Sequence, residues 1–287
     1  MGAGKFGAVE GQGGDPMQGP NRRELIRGLS GLAAASAIGA RPAPAAQDAP
    51  GRRPPRIKVG QIGVGHAHAS KLSVYRESED YEVVGVVEPD DRLRELARDR
   101  PEYRGLPWLT REQLLNVPGL QAVLVETRVE DLLDQAEVCV NAGLYVHLDK
   151  PAGDSLAQYR RILEAAERKG RWVQMGYMYR YNPGVVLLRD LLRRGWLGEV
   201  FEVQAVMSKV VEPADRARFA AFPGGMMFEL GCHVIDLVVG VLGAPDAVTP
   251  FPRHSSPSGD GLLDNMLAVF EYPRATATVR SSALEVE

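Results

Sequence analysis

From residue 56 onward, apolar and amphipathic stretches alternate along the chain. RIKVGQIG is a short apolar run, HASKLSVYRES has helical spacing, and YEVVGVVE carries the β-branched enrichment of a strand. PDDRLRELARD is amphipathic at helical period, and Thr110 with Gln113 three residues on forms a capping-box signal ahead of QLLN. AVLVET, YVHLDKP and WVQMGYM read as further strands. Between them VEDLLDQAEVCVNAG and SLAQYRRILEAAERKG read as helices that each end at a glycine. Strands alternating with helices of about a dozen residues predict right-handed crossover units and a parallel sheet. Residues 56–178 are therefore expected to form one doubly wound domain.

The style changes at Tyr179. RYNPGVVLLRDLLRRGWLG predicts a helix closed by a glycine turn, and EVFEVQAVMS alternates as a half-buried strand does. MMFELGCHVIDLVVGVLG predicts a second helix, and DNMLAVFEYP with RATATVRSSALEV predicts an antiparallel hairpin. Residues 179–287 are thus expected to be an α+β domain built on a mostly antiparallel sheet.

Composition adds exclusions. The 287 residues carry a net charge of −3, which argues against a nucleic-acid partner, since such proteins show a basic face. Two cysteines, Cys139 and Cys232, cannot make a disulfide framework and read as buried free thiols. Residues 1–46 form a separate object: a Gly-rich start, then the pair Arg22 and Arg23, a weakly apolar Ala/Gly run and Ala43-Pro44-Ala45. This resembles a twin-arginine export signal, with Asn21 and Leu25 departing from its pattern, and predicts a periplasmic protein. The apolar run is too short for a membrane anchor. Residues 47–55 read as a linker.

Three motifs carry chemistry. GVGHAHAS lies between the first strand and the first helix, where a dinucleotide-binding fold holds the cofactor pyrophosphate. There Gly63 makes the tight turn, Gly65 lets the backbone approach phosphate and the helix start supplies N–H donors. His68 stands where a third glycine is usual. Glu88 ends the second strand, near the usual separation for a carboxylate on the adenine ribose. His66 and His68 would need further ligands to hold a metal, and none lies within the neighbouring dozen residues, so no metal is expected. The second motif is HLDKP, which sets Lys150 at the carboxyl end of a parallel strand, where ligands bind in open α/β sheets. In the third, ELGCHVID, Glu229 and His233 are four apart and would share a helix face, with Asp236 three residues beyond. A carboxylate so placed can orient a histidine that acts as general base.

Together, the G-x-G turn, Glu88, Asp149-Lys150-Pro151, YRYNPGVVLLRDLLRRGWLGEV and GGMMFELGCHVIDLVVGVLG resemble the glucose–fructose oxidoreductase / inositol dehydrogenase / MocA family over about residues 56–283. Asp149-Lys150-Pro151 stands for that family's Glu-Lys-Pro. Glu229 to His233 stands for its Asp-x-Gly-x-His, with Glu in place of Asp. Glu126 to Asp131 stands where the family has Thr-Pro-Asn, so only Thr127 carries over.

The resemblance implies an NAD-dependent oxidoreductase, with NADP less favoured, moving a hydride between a sugar- or polyol-like hydroxyl and nicotinamide. It assigns Lys150 to the substrate oxygen, His233 to proton acceptance with Glu229 as its partner, and Arg180 and Asp236 to the substrate. Gly63, Gly65, His66, Ala67, His68, Glu88, Thr127 and Lys150 fall to the cofactor. The alternatives are an NAD-dependent glycosidase of the same family and a non-catalytic nucleotide-binding protein. The chain stops at Glu287, earlier than the family's sheet finishes, and the shortened sheet's open edge would suit homo-oligomer formation.

Overall fold

The computed structural model describes residues 54–284. The twin-arginine stretch and nearly all of the linker lie outside the described residues. The first unit is a five-stranded parallel sheet of order β2-β1-β3-β4-β5. It comprises β1 (Ile57–Ile62), β2 (Tyr81–Val87), β3 (Leu120–Val125), β4 (Tyr145–Leu148) and β5 (Val173–Met175). Residues 107–109 run beside β2 with a single parallel bridge from Trp108 to Val86, occupying the place of a sixth strand.

The connections are helical. They are α1 (Leu72–Glu77), preceded by a tight turn at Ala69–Lys71, then α2 (Asp91–Ala97), α3 (Arg111–Leu115), α4 (Leu132–Asn141) and α5 (Leu156–Arg168). The side chain of Asp90 caps α2, and Thr110 with Gln113 closes the predicted capping box on α3. The strands are buried on both faces. Ile62, Val123, Val125, Val146 and Leu148 pack with Leu132, Ala136 and Val140 of α4 and Ile162 of α5 into the main core. Cys139 sits in that core; burial pushes its thiol up to about 12, so it behaves as a small hydrophobe.

The second unit contains α6 (Pro183–Arg193), β6 (Glu202–Val206), α7 (Pro213–Ala220), a π turn at Met227–Gly231 leading into α8 (Cys232–Leu242), β7 (Ala247–Arg253), β8 (Asn265–Glu271) and β9 (Thr276–Ser282). Its sheet order is β6-β9-β8-β7. The predicted β8–β9 hairpin is antiparallel, as is β7–β8, while β6 pairs with β9 in parallel. Two elements escape the hydrophobic pattern. β7, AVTPFPR, contains two prolines and is exposed along its length, which an edge strand tolerates. α7 starts at Pro213 and shows little amphipathic contrast. Val234 and Val238 of α8 pack on Ala205, Ala268, Phe270 and Val279 of the sheet. No helix among the described residues is long and apolar enough to cross a membrane.

Candidate active site at the carboxyl edge of the parallel sheet

Strand order reverses between β1 and β3, and the loops leaving these two strands open a crevice there. Gly63 takes φ +92°, and a Cβ on it would stand 2.4 Å from the Thr127 backbone nitrogen, so only glycine fits. Within the loop the N–H groups are largely used by the protein. Val64 N–H donates to Glu88 Oε2 at 2.9 Å, His66 N–H to the Glu126 carbonyl at 3.0 Å and His68 N–H to His66 Nδ1 at 3.2 Å. Those of Gly65 and Ala67 make no hydrogen bond among the described residues, and both residues are exposed. With the N–H of Ser70, which likewise makes no hydrogen bond among the described residues, they are the backbone donors left for an anion, while Ala69 and Lys71 bind back onto the loop.

Two cavities flank this loop, and Gly65 and Arg128 line both. The first, of about 590 Å³, is walled by Glu88, Asp90, Arg94, Thr110, Thr127 and Gln135. Glu88 is buried, and its Oε1 also accepts from the N–H of Asp90 at 3.0 Å, so the carboxylate is fixed at the rim. Thr127 turns its hydroxyl to the Arg128 carbonyl at 3.2 Å. The second cavity, of about 440 Å³, is walled by His66, His68, Arg218, Phe222, Phe228 and Glu229, and so lies between the two units. An extended dinucleotide could be held here, with Glu88 and Thr127 lining the first cavity, the Gly65 and Ala67 N–H groups free for an anion, and His66 and His68 lining the second.

Lys150 follows β4 and precedes a cis peptide to Pro151. Its side chain is almost wholly buried, and Nζ crosses to the second unit, donating to the Glu229 carbonyl at 2.9 Å and to Glu229 Oε1 at 3.2 Å. This corrects the expected Glu229–His233 pair. The π turn at Met227–Gly231 breaks the 3.6-residue phase that would have stacked Glu229 under His233, and the carboxylate goes to Lys150 instead. His233 is 3% exposed, lies edge-on to Tyr177 and Tyr179, and its Nδ1 has no hydrogen-bond partner among the described residues. Burial, and then the nearby charge of Lys150, lowers its pKa to about 4, so it stands neutral at pH 7 rather than titrating near neutrality.

Asp236 likewise differs from expectation. It receives a two-pronged contact from Arg180, Nη2 to Oδ1 at 2.6 Å and Nε to Oδ2 at 3.0 Å, while the Arg180 guanidinium lies 5.2 Å from the Tyr177 ring centre. The pair braces the entry of α6 against α8, and each group already has its partner.

A second set of polar groups gathers beneath the loop, and sequence reasoning missed it. Glu126 and Asp149, at the ends of β3 and β4, are both fully buried. Lys71 Nζ donates to Asp149 Oδ2 at 2.7 Å, sits 3.0 Å from Glu126 Oε1 and contacts His147 Nε2 at 2.9 Å. Burial and then the Asp149 charge raise Glu126 to about 9. Burial alone would raise Asp149 too, but hydrogen bonds from His66 and His68 hold it far below the usual carboxylate range. The absence of a metal was expected from sequence neighbours alone, whereas the fold brings Asp149 to His66 and His68 from a distant strand. The available signal was the ending of β3 and β4 in Glu and Asp, at the edge where parallel strands converge.

A doubly wound parallel sheet with a crevice at its switch point, and Lys150 near His233 at the junction, is the architecture of a nucleotide-binding Rossmann fold carrying a second domain. The chain belongs to the GFO/IDH/MocA family: residues 57–177 match its NAD-binding Rossmann-fold model and residues 185–287 a model of its C-terminal domain. It is 26% identical over 205 residues to scyllo-inositol 2-dehydrogenase (NADP(+)) IolW of Bacillus subtilis, covering 69% of this chain and 55% of that protein. It is also 26% identical to trans-1,2-dihydrobenzene-1,2-diol dehydrogenase of Bos taurus over 68% of this chain and 57% of that protein. The chain thus spans little more than half the length of these curated relatives. Among solved structures, GenD2 from gentamicin A biosynthesis, in complex with NAD, superposes with a TM-score of 0.69 at 25% identity, covering 83% of this chain and 70% of that one.

Proposed function

We propose that the protein is a dehydrogenase that oxidises a secondary hydroxyl of a polyol- or sugar-like substrate with NAD. The observation that carries this reading is the buried junction, where Lys150 stands as a fixed cation near a neutral His233 with an unpartnered Nδ1. The substrate hydroxyl gives its proton to His233, and the Lys150 ammonium stabilises the alkoxide charge that develops on the oxygen. Bound NAD supplies the acceptor for the hydride from the same carbon. Glu229 holds the lysine in place through its carboxylate and carbonyl. Polyol substrates are favoured because relatives sharing a quarter of the sequence are named for inositol and dihydrodiol oxidation.

The test is incubation of the purified protein with NAD and a panel of inositols, sugars and their glycosides. Net NADH formation with a free polyol is the expected result. Glycoside cleavage without net NADH would replace it by the glycosidase reading. NAD binding with neither reaction would leave a nucleotide-binding protein.

We further propose that the protein is exported through the twin-arginine signal in residues 21–46. Replacing Arg22 and Arg23 together by Lys should hold precursor in the cytoplasm. Unchanged export of the double variant would remove the reading.

A further inference from the structure

His66, His68 and Asp149 have a geometry that neither nucleotide binding nor hydride transfer requires. His66 Nε2 lies 3.0 Å from the Lys150 carbonyl oxygen. A carbonyl only accepts, so Nε2 carries a hydrogen, and Nδ1 is the nitrogen left to ligate a metal once it is unprotonated. That Nδ1 stands 3.2 Å from the His68 backbone nitrogen, 3.1 Å from Asp149 Oδ2 and 3.9 Å from Glu126 Oε2. A proton bridges the nitrogen and the Asp149 carboxylate in the metal-free protein, and a divalent cation would take that proton's place.

His68 Nδ1 completes the set at 3.3 Å from Asp149 Oδ1, and one ligand atom from each of the three residues lies within 4.8 Å of the others. Two donors bonded to zinc at about 2.0–2.1 Å with tetrahedral angles stand about 3.3 Å apart, so the two histidine–carboxylate separations need little adjustment. The backbone carbonyl on the far nitrogen of His66 is the kind of outer partner that aims a ligating imidazole.

Glu126 stands beside the same nitrogen as a fully buried carboxyl, with Oε2 3.9 Å from His66 Nδ1 and Oε1 3.0 Å from Lys71 Nζ. Raised to about 9, it is neutral at pH 7, so Asp149 is the charged oxygen donor of the set.

We propose that His66 Nδ1, His68 Nδ1 and the Asp149 carboxylate bind one divalent transition-metal ion of the zinc type beneath the nucleotide loop. Two imidazoles and one carboxylate select this class over magnesium or calcium, which take all-oxygen sets, and no thiolate is at hand for softer ions. Both histidines line the cavity between the units, so coordination positions not filled by protein open onto it. Lys71 remains on Asp149 Oδ2 and holds the carboxylate in orientation.

The proposal does not rest on the dehydrogenase reading, and its test uses no turnover. The full chain is stripped with a chelator and dialysed against Co²⁺ or Zn²⁺. Metal per chain is then measured by mass spectrometry, and the Co²⁺ d–d absorption is recorded. One equivalent and a visible Co²⁺ band are expected. His68→Ala, a half-exposed side chain whose loss spares the fold, should weaken binding at least about 100-fold and abolish the band. Asp149→Asn should do the same, while His254→Ala in the second unit should bind as the unaltered chain does. Thermal melts confirm that each variant is folded. Uptake well below one equivalent by the unaltered chain overturns the site, as does uptake unaffected by His68→Ala and Asp149→Asn.

Discussion

Two buried charge clusters in this molecule are built differently. In the second unit, Arg216 of α7 is closed in by Asp264 Oδ2 at 2.8 Å, Ser256 Oγ at 2.8 Å and both carboxylate oxygens of Asp260. Asp264 also accepts from the N–H of Ser255 at 2.7 Å and of Ser256 at 3.2 Å. It pins one loop to one helix. The cluster at the sheet edge has the opposite character: one lysine is shared by two buried carboxyls, Glu126 is raised to about 9, and His66 and His68 look into a cavity. A network whose donors match its acceptors serves the fold, whereas mismatched polar groups beside a crevice mark a place where something else binds.

The largest effect at the crevice side should come from His233, which lies at the junction near Lys150. His233→Asn should lower the rate of polyol oxidation by about two to four powers of ten, with NAD affinity nearly unchanged in a fluorescence titration. The pH profile of the unaltered enzyme sharpens this. Since burial and Lys150 lower the His233 pKa to about 4, the base is already deprotonated above that value. The acid limb of kcat/KM should therefore fall as pH drops through about 4, not through the ordinary histidine value of 6.5. A limb at 6.5 that vanishes in His233→Asn would show the imidazole to be solvated.

Next in size is Arg216→Leu, which leaves Asp264 buried without its counter-charge. It should cost about 3–5 kcal/mol in urea unfolding, while kcat per folded molecule is unchanged. A loss of activity without a loss of stability would reverse the assignment of that cluster.

The smallest effect concerns cofactor choice. Glu88 is fixed at the rim of the first cavity by two backbone N–H groups, and a 2′-phosphate placed there would meet a carboxylate. NAD should bind more tightly than NADP, and Glu88→Ala should narrow the ratio of their dissociation constants by about tenfold, near 1.4 kcal/mol. A ratio already favouring NADP would point to Arg94, which lines the same cavity.

Most of the nucleotide domain was legible in the chain, because a parallel strand buried on both faces writes itself as an unbroken apolar run and each crossover helix as a period of 3.6. Legibility failed where local period and contact part company. β7 hides behind Pro250 and Pro252, and β6 alternates correctly without disclosing that its neighbour is the parallel β9. At the site, Lys150 and His233 were visible through their motifs. The pairing of Glu229 was not, since one π turn changes which side chains stack. The approach of Asp149 to His66 and His68 was out of reach as well, for it depends on the order of strands and not on spacing along the chain.

That parallel pairing of β6 has a consequence for how the chain assembles. The nucleotide domain completes its strand pairings once β5 has been made, each new strand finding its place beside one already present or one crossover away. β6 is synthesised early in its own unit, yet its only neighbour in the sheet, β9, is the last strand of the described chain. Until then its hydrogen-bonding edge is unclaimed, and closing so long a loop is entropically slow. During synthesis the strands of the nucleotide domain are therefore all available to pair before β6 has its neighbour.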